Sequence, residues 1–495
     1  MDYSKEIENK KNHEKGKTDT HIPTQSQKNG NTPNILTQSQ NYGNALNILQ
    51  RLQKKGYKAF FAGGCVRDML MGIESRDFDI VTNAPMETIP DLFQATGLKP
   101  VGKTFPVFII HGVEVASCRT TNQSMPFPEC DLKQRDLTIN SMAIDPIQDA
   151  LIDPFDGQRD LVRKIIRFTD DPEQRITEDP IRMVRACRFV SAFQGTLDRE
   201  TLQIIQTHGA SIMEPAIFSR IGREIMKAMA HKKPSIFFRA LHQTGLLAMI
   251  FPSLERCAGL DGGPYHGETV MEHCLLTGDA LMPRSHILRL AGYLHDAGKY
   301  DAAKIKDGKL TFAGHENMTH AVIHDLEQLK FSKRDIRHID SLIKTHMRPL
   351  KAGTTPRAVR RILAFLKANQ VTWQEFMRMR IADKSANLAK APYTLNDIKI
   401  RVSKIHREIY NSPKNAFTLK DLAITGHDIM EILSMPQGKG VGKVMNHLFE
   451  MVLENPRLNS HGTLKEYLLK NWNNNEHSKS IRDSFGDHQI NGDIG

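Results

Sequence analysis

Hydrophobic and polar positions follow two different patterns along the chain. Between Asn44 and Asp170, short β-branched and aromatic runs, typical of strands, alternate with segments of helical periodicity. After Asp179 the apolar residues recur at spacings of three and four almost to the end, as in RIGREIMKAMA and HLFEMVLENP, which indicates helices. The pattern therefore predicts an α/β region followed by an all-α region.

Within the α/β region, the stretch GGCVRDMLMGIESRDFDIVTNA places two aspartates beside a glycine turn. The runs KAFFAG and FDIV predict strands, and CVRDMLMG predicts a helix between them. Asp77 and Asp79 would share one face of the second strand, because alternate side chains of a strand point the same way. Two carboxylates so close repel each other unless a cation lies between them, and carboxylate oxygens suit Mg²⁺.

The glycine turn itself is a candidate phosphate site. Gly63 and Gly64 would let the backbone approach a bulky anion, and the first N–H groups of the helix, with Arg67, would face that anion. Each piece alone is better explained by a plain turn and a solvated acidic strand edge. Their combination favours a metal-binding aspartate pair beside a phosphate cradle.

Composition narrows the class of protein. The 495 residues suffice for about three or four domains, and a hydrophobic content of 40% is ordinary for a globular protein. A net charge of +11 is compatible with a polyanionic partner. Six scattered cysteines without a Cys-x-x-Cys pair, and no apolar run of bilayer length, predict a cytoplasmic protein that does not bind membranes. Polar residues 1–40 and 471–495 predict disordered tails.

Four further motifs follow in order: RDLTINSMAID, LIDPFDGQRDL, EDPIRMVRACRF and SRIGREIMK. With these motifs the chain, from about Asn44 to Lys470, closely resembles the class II tRNA nucleotidyltransferases, or CCA-adding enzymes, and the related bacterial poly(A) polymerases. The resemblance implies an α+β fold in which a polymerase-β-like nucleotidyltransferase head precedes all-α neck, HD and tail domains. The implied domains are a head at 41–175, a neck at 176–260, an HD domain at 261–390 and a tRNA-binding module at 391–470.

The resemblance also implies a set of site residues. The catalytic carboxylates are Asp77, Asp79 and, as a third candidate on the strand GVEVAS, Glu114, which an exposed strand position explains nearly as well. The implied reaction is attack of an RNA 3′-hydroxyl on the α-phosphate of a nucleotide, with Mg²⁺ as cofactor. The implied nucleotide-binding residues are Gly63, Gly64, Arg67, Asp68, Arg135, Asp136, Asn140, Asp179, Arg182, Arg185 and Arg188.

The motif EDPIRMVRACRF is expected to read the base. Its Glu-Asp pair is predicted to open a helix, so that Asp179, Arg182 and Arg185, three residues apart, line one face. An acceptor beside a donor matches cytosine and adenine and leaves guanine and uracil with unpaired groups. An ordinary ion pair at the start of a helix is the alternative.

A second metal site is expected in the helical region. The sequence places His273, His295-Asp296 and Asp383 in the order that resembles HD-type metal phosphohydrolases, and His315 and His346 fit extra ligands of that class. Imidazole and carboxylate ligands suit Mn²⁺, Ni²⁺ or Mg²⁺, and the sequence does not choose among them.

One segment departs from the family. Only nine residues, Thr121–Glu129, stand where enzymes that add all of CCA carry a longer loop, and the family associates that loss with addition of the two cytidines alone. The expected partners are therefore tRNA and CTP, with ATP if full CCA is added, and otherwise a separate A-adding enzyme. The alternatives are a poly(A) polymerase, a non-catalytic RNA-binding protein, and a hydrolase acting mainly through the HD site.

Overall fold

The computed structural model describes residues 40–93, 100–101, 107–118, 125–410 and 414–472. The chain divides into two compact units, which are residues 1–258 with 282–286 and 321–332, and residues 259–281 with 287–320 and 333–495. The two predicted disordered tails lie almost wholly outside the described residues. Strands concentrate in the first unit and helices dominate the rest, which confirms the predicted α+β class.

The first unit contains a six-stranded sheet in the order β3-β4-β2-β1-β5-β6. β2 and β4 are parallel, and the other neighbouring strands are antiparallel. The strands are β1 Ala59–Ala62, β2 Asp79–Thr82, β3 Phe108–Ile110, β4 Val113–Ser117, β5 Ala143–Asp145 and β6 Ala150–Ile152. β1 and β2 correspond to the predicted runs KAFFAG and FDIV, and their apolar side chains are buried. A small parallel pair, β7 Ile165–Ile166 with β8 Thr196–Leu197, follows the sheet.

Along the chain, the helices of the first unit precede, alternate with and follow the strands of this sheet. They are Gln40–Lys54, Gly64–Leu70, Ile89–Leu92, Glu129–Leu132, Gly157–Arg163, Pro172–Glu178, Ile181–Phe193, Arg199–His208, Pro215–Ala228, Ser235–Gln243, Leu247–Ile250, Pro252–Glu255 and most of His320–Gln328. Single 3₁₀ turns form at Met86–Thr88, Thr138–Asn140 and Gly209–Met213. Among the described residues no helix has both the length and the apolarity needed to cross a bilayer.

Among its described residues, the second unit forms helices and one hairpin. Its helices are Val270–Ala280, nearly all of His286–Leu294, Lys299–Ala302, Lys333–Thr345, Pro356–Ala368, Trp373–Ala386, Leu395–Tyr410, Gly426–Leu433, Lys439–Glu454 and His461–Asn471, with 3₁₀ turns at His315–Asn317, Leu419–Asp421 and Pro456–Leu458. The hairpin joins β9 Lys304–Lys306 to β10 Lys309–Thr311.

This hairpin corrects the prediction of an all-α region. Asp307 and Gly308 connect the two strands with φ values of 50° and 71°. Asp-Gly readily adopts these left-handed conformations, which match the twist of a two-residue hairpin. The short sequence KIKDGKLT therefore carried a hairpin signal that the helical periodicity around it concealed.

Candidate active site and metal centre

The sheet brings two of the predicted catalytic carboxylates side by side. Asp79 is the first residue of β2 and lies directly opposite Glu114 on the parallel strand β4, so both side chains project from the same face. Burial raises the pKa of Asp79 to about 6, and the charges of Glu114 and Asp77 add to the rise, while Arg135 opposes it. Asp77 lies just before β2 and is exposed. Three mutually repelling carboxylates thus converge at one strand end.

Arg135 lies against the same carboxylates because the residue opposite it is a glycine. Gly63 has a φ of 79°, and a Cβ atom at this position would collide with the Arg135 guanidinium and lie 3.4 Å from Asp79 Oδ2. Arg135 also donates from Nε and Nη2 to Asp131 Oδ2, each at 3.2 Å. Gly63 therefore permits both the left-handed turn and the close approach of a cation to Asp79.

A cavity of about 220 Å³ opens at this point of the first unit. Its polar lining comes from Asp79, Glu114, Ser117, Asp131, Gln134, Arg135 and Arg182. The carboxylates on its wall are hard oxygen ligands whose repulsion a divalent cation would relieve, so the residues present fit Mg²⁺. The cavity also joins the predicted metal ligands to Arg182, a residue predicted to contact the base.

A chain of polar contacts links several other predicted residues behind the glycine turn. Arg67 Nη1 donates to Asn140 Oδ1 at 2.5 Å, and Asn140 Nδ2 donates to Asp136 Oδ1 at 3.1 Å. Asp136 pairs with Arg185 at 2.9 Å, and Arg67 pairs with Asp68 at 2.8 Å. Burial acts to raise the pKa of Asp136, but Arg185 and the hydrogen bond from Asn140 lower it more, so this carboxylate stays ionised. A phosphate contact from Arg67 would compete with Asn140 and Asp68.

The predicted geometry of the base-reading motif is wrong. Glu178 ends the helix Pro172–Glu178, and the next helix begins at Ile181, so Asp179 lies between the two helices. Its φ of −160° and ψ of 98° are extended, because a residue that precedes proline is sterically kept from the helical region. Asp179 therefore does not share a helix face with Arg182. Their roles in nucleotide binding stay a prediction.

Each member of that expected pair has another partner. Arg220 donates to both carboxylate oxygens of Asp179, at 2.8 and 2.6 Å. Arg182 is buried and donates to Glu178 Oε2 at 2.7 Å and to the backbone oxygens of Arg175 and Gln134. Asp179 and Arg182, the acceptor and donor expected to read one base edge, are thus each engaged in a separate ion pair.

The motif SRIGREIMK supplies contact residues for which the sequence analysis predicts no individual role. Besides Arg220, its Glu224 accepts from Arg188 Nε at 2.5 Å and from Lys227 Nζ at 3.0 Å. Arg188 also stacks over the Phe189 ring, 4.2 Å from its centroid. The helical period of the motif placed these residues on one face, but which residues lay opposite them could not be read from one sequence.

In the second unit the six predicted metal-type residues converge. His273 Nε2 lies 3.0 Å from Asp383 Oδ1 and 3.7 Å from Asp296 Oδ2. The Nε2 atoms of the other three histidines also face Asp296, at 3.4, 3.0 and 3.5 Å for His295, His315 and His346. All of these side chains are buried except that of Asp383, which is 22% exposed.

The histidines are oriented as metal ligands. The Nδ1 atoms of His295, His315 and His346 lie 2.9, 2.8 and 2.6 Å from the backbone oxygens of Gly292, Phe312 and Ile343. A carbonyl oxygen only accepts, so each Nδ1 donates and the Nε2 of a neutral ring directs its lone pair at the carboxylates. Burial lowers the pKa of His295 to about 3, and its buried Nε2 makes no hydrogen bond to any described residue. Lone pairs and carboxylates facing one point fit a divalent cation.

Two further groups at this cluster carry no obvious sequence signal. Glu268 Oε1 accepts from His273 Nδ1 at 2.9 Å and lies 2.8 Å from His266 Nδ1, while its Oε2 accepts from the N–H groups of Gly267 and Leu388. Lys299 Nζ lies 2.7 Å from Asp296 Oδ2 and is buried. Glu268 is five residues from His273 on a preceding loop, a spacing that no helical or strand period marks.

Comparison with known proteins agrees with this arrangement. Residues 59–167 match the family model described as "Poly A polymerase head domain", and residues 196–257 match "Probable RNA and SrmB- binding site of polymerase A". Residues 311–468 match the model for tRNA nucleotidyltransferase domain 2. The matched segments together cover the head, the helices that follow it and most of the second unit.

Individual relatives are similar over longer stretches. A "Multifunctional CCA protein" of Polaromonas naphthalenivorans is 32% identical over 342 residues, which cover 62% of this chain and 78% of the relative. An "A-adding tRNA nucleotidyltransferase" of Deinococcus radiodurans is 27% identical over 407 residues, or 79% of this chain and 91% of the relative. The crystal structure of the CCA-adding enzyme of Bacillus stearothermophilus in complex with CTP has the same fold, with a TM-score of 0.62, 23% identity and coverage of 90% of this chain and 100% of that one.

These matches assign the family. The chain belongs to the class II tRNA nucleotidyltransferases, as its motifs predicted. Three other curated CCA proteins are 32–34% identical, and this chain spans only 61–63% of their length.

Proposed function

We propose that this chain transfers nucleotides from a nucleoside triphosphate to the 3′ end of tRNA. The observation that carries the proposal is the pairing of Asp79 with Glu114 on adjacent strands, beside Arg135 and at the wall of one cavity. Magnesium held by Asp77, Asp79 and Glu114 would activate the 3′-hydroxyl and neutralise charge on the phosphates. The hydroxyl oxygen bonds to the α-phosphorus, the bond to the bridging oxygen breaks, and pyrophosphate leaves.

The chain's own residues position that reaction. Arg135, at the glycine turn beside the carboxylates, is placed to offset negative charge that develops on the triphosphate. Arg182 on the cavity wall presents a guanidinium where the base or ribose would lie.

The proposed product is tRNA extended by two cytidines. This step rests on the short segment Thr121–Glu129, of which Thr121–Ser124 lie outside the described residues and Met125–Glu129 lead into the helix Glu129–Leu132. Addition of adenosine alone is the second candidate, because the A-adding relative matches 79% of this chain. Full CCA addition and poly(A) synthesis are the remaining outcomes of the same test.

The test extends defined RNAs and resolves the products by length. Transcripts of tRNA ending at the discriminator base, tRNA ending in CC, and an unstructured RNA are each incubated with CTP, ATP or both. If the transcript ending at the discriminator base gains two cytidines and extension then stops, the proposal is supported. If only the CC transcript is extended, by a single adenosine, the second candidate is supported. Extension of the unstructured RNA by many adenosines would replace both with poly(A) synthesis.

Two variants connect the activity to the site. Asp79→Asn and Glu114→Gln should each reduce addition by at least about 100-fold, because each removes a charged metal ligand. Glu87→Gln, an exposed carboxylate of the same unit, is the matched control and should act like the wild type. Near-normal turnover of Asp79→Asn in Mg²⁺ would refute the assignment.

For the second unit we propose a metal-dependent phosphohydrolase of the HD type. Support comes from the four histidines whose Nε2 atoms face Asp296 and Asp383, in a buried cluster that would otherwise hold facing lone pairs and carboxylates. The chelator-stripped protein should bind Mn²⁺, Ni²⁺ or Mg²⁺ by calorimetry and hydrolyse 2′,3′-cyclic or terminal phosphates. His295→Ala should lose both properties, and the exposed His427→Ala in the same unit should lose neither. Binding without hydrolysis would leave the cluster as a structural metal site.

A further inference from the structure

Two cysteines of the first unit meet at the edge of the active-site region. Cys118 directly follows β4, and Cys130 lies in the helix Glu129–Leu132, with their Sγ atoms 3.3 Å apart. The backbone N–H of Cys118 donates to Thr82 at 2.7 Å, and that of Cys130 donates to Pro126 at 3.0 Å. Both sulfurs are therefore carried by backbone that other hydrogen bonds already hold in place.

This geometry is that of two thiols ready to be linked. A disulfide has an S–S length of about 2.05 Å, so the two sulfurs, now 3.3 Å apart, need to approach by little more than an ångström. Cys118 is partly exposed, so a small oxidant can reach it. Cys65 and Cys187 of the same unit are buried at 1% and 0% exposure, and burial raises their thiol pKa values to about 11 and 12.

We propose that Cys118 and Cys130 form a redox-sensitive dithiol that converts reversibly to an intramolecular disulfide by exchange with a low-molecular-weight disulfide. The Cys118 thiol loses its proton to solvent, its thiolate bonds to one sulfur of the small disulfide, and the other half leaves as a thiolate. The deprotonated Cys130 then attacks Cys118 Sγ and releases the second small thiolate. One small disulfide is reduced to two thiols, and the protein dithiol is oxidised by two electrons.

The link would act on the neighbouring active site through the next residue of the helix. Asp131 follows Cys130 and holds Arg135, whose guanidinium lies against Gly63 and Asp79. In sequence, the linked cysteines also enclose the eleven residues 119–129, which contain the shortened family segment. Drawing the helix toward the end of β4 would displace Arg135, and a misplacement near 1 Å can cost up to about 100-fold in rate.

The test oxidises the full chain with glutathione disulfide and maps its peptides by mass spectrometry after alkylation. A peptide pair joining Cys118 to Cys130, lighter by two hydrogens and separated again by dithiothreitol, is the expected result. Cys187→Ser, a matched change of a buried cysteine in the same unit, should still give this pair. Only glutathione adducts on Cys118, or a different cysteine pair, would overturn the proposal.

Activity provides the second readout and rests on the proposed function. Oxidation should slow nucleotide addition by about tenfold in the wild type, dithiothreitol should restore it, and Cys130→Ser should be insensitive to the oxidant. An oxidised, linked protein with unchanged addition would overturn the effect on the active site. Reduced protein that adds no nucleotide at all would refute the proposed function, while the peptide map would still decide whether the disulfide forms.

Discussion

Among individual residues, the ion pair between Arg220 and Asp179 bears most directly on the predicted reading of the base by Asp179. Arg220 occupies both oxygens of the Asp179 carboxylate, and a carboxylate must offer one of these oxygens to accept from the amino group of cytosine. Arg220 thus fixes the orientation of the proposed base-reading acceptor. It also competes with the base for that acceptor, so its removal changes both the direction and the availability of the carboxylate.

Replacing Arg220 with Gln should weaken nucleotide selection. We expect kcat/KM for CTP to fall by about tenfold and incorporation of UTP to rise relative to CTP, because Asp179 loses its orienting partner. Single-turnover addition with each of the four nucleotides measures both effects. Arg223→Gln, an exposed arginine on the same helix, is the control. If Arg220→Gln loses activity equally with all nucleotides, the ion pair supports the fold rather than the choice of base.

Glu268 offers a second test of a single contact. It accepts from His273 Nδ1 while the opposite ring nitrogen faces Asp296 and Asp383, the arrangement in which an outer carboxylate orients a ligating histidine. Glu268→Gln should weaken metal binding by about 10- to 100-fold without removing a ligand. Calorimetry with Mn²⁺ measures this directly, and the exposed Glu431→Gln in the same unit is the control. Unchanged affinity would show that His273 needs no orienting partner.

The sequence predicted the candidate metal ligands better than the residues that orient their neighbours through ion pairs and hydrogen bonds. Asp79, Glu114 and the six HD-type residues are identified by short motifs or by family order, and the structure brings them together within each unit. Arg220 and Glu268 act across gaps of 41 and five residues that no local period reveals. The charge pattern around Asp179 favours a helix, but the steric effect of Pro180 keeps the Asp179 backbone extended.

At the level of elements, the helix Trp373–Ala386 matters because it carries Asp383. It starts with a capping box in which the Thr372 hydroxyl accepts from Glu375 N and the Glu375 carboxylate accepts from Thr372 N. The sequence TWQE already shows this signature. Glu375 also lies 2.9 Å from His338 Nε2 on the helix Lys333–Thr345, so one carboxylate both caps a helix and joins it to another.

These contacts make the stability of the second unit against unfolding depend on pH. The hydrogen bonds from His338 and Thr372 outweigh burial and lower the pKa of Glu375 to about 2, and the Glu375 carboxylate raises the pKa of His338. The Glu375 contribution is present above its unfolded pKa near 4.5 and is lost as the pH falls toward 2. The His338 contribution is complete below its unfolded pKa of 6.5 and is lost as the pH rises through its higher folded pKa.

Glu375→Gln should therefore destabilise the protein most between pH 4.5 and pH 6.5, the unfolded pKa values of Glu375 and His338. We expect a loss of about 1–2 kcal/mol in the free energy of unfolding near pH 5.5, and a much smaller loss near pH 2, where about half of the wild-type carboxyl groups are also protonated. Urea denaturation across this pH range measures the difference. Glu466→Gln, which breaks an exposed pair with Lys470, should change the free energy of unfolding little at any pH. An equal loss at both pH values would show that the effect is not electrostatic.

For the molecule as a whole, the two candidate sites belong to different compact units. The carboxylates around Asp79 lie entirely in the first unit, and the histidine cluster lies entirely in the second. The sites share no ligand, and each is built from its own helices and strands. The proposed nucleotide transfer and the proposed phosphate hydrolysis would therefore each depend on a separate set of residues.

Removal of the second metal centre should consequently leave nucleotide addition intact. The double change His295→Ala with Asp296→Ala takes away two of the converging groups, including the carboxylate that His315, His346 and Lys299 all face. We expect divalent-metal binding in the second unit to disappear and kcat/KM for nucleotide addition to stay within about twofold, because changes at sites that share no partners are close to additive.

The reciprocal variant, Asp79→Asn, should lose addition and keep metal binding by the histidine cluster. Circular dichroism on each variant separates loss of a site from loss of the fold. If the double variant is folded and still loses nucleotide addition, the two sites are coupled, and the metal of the second unit then supports the transferase rather than a reaction of its own.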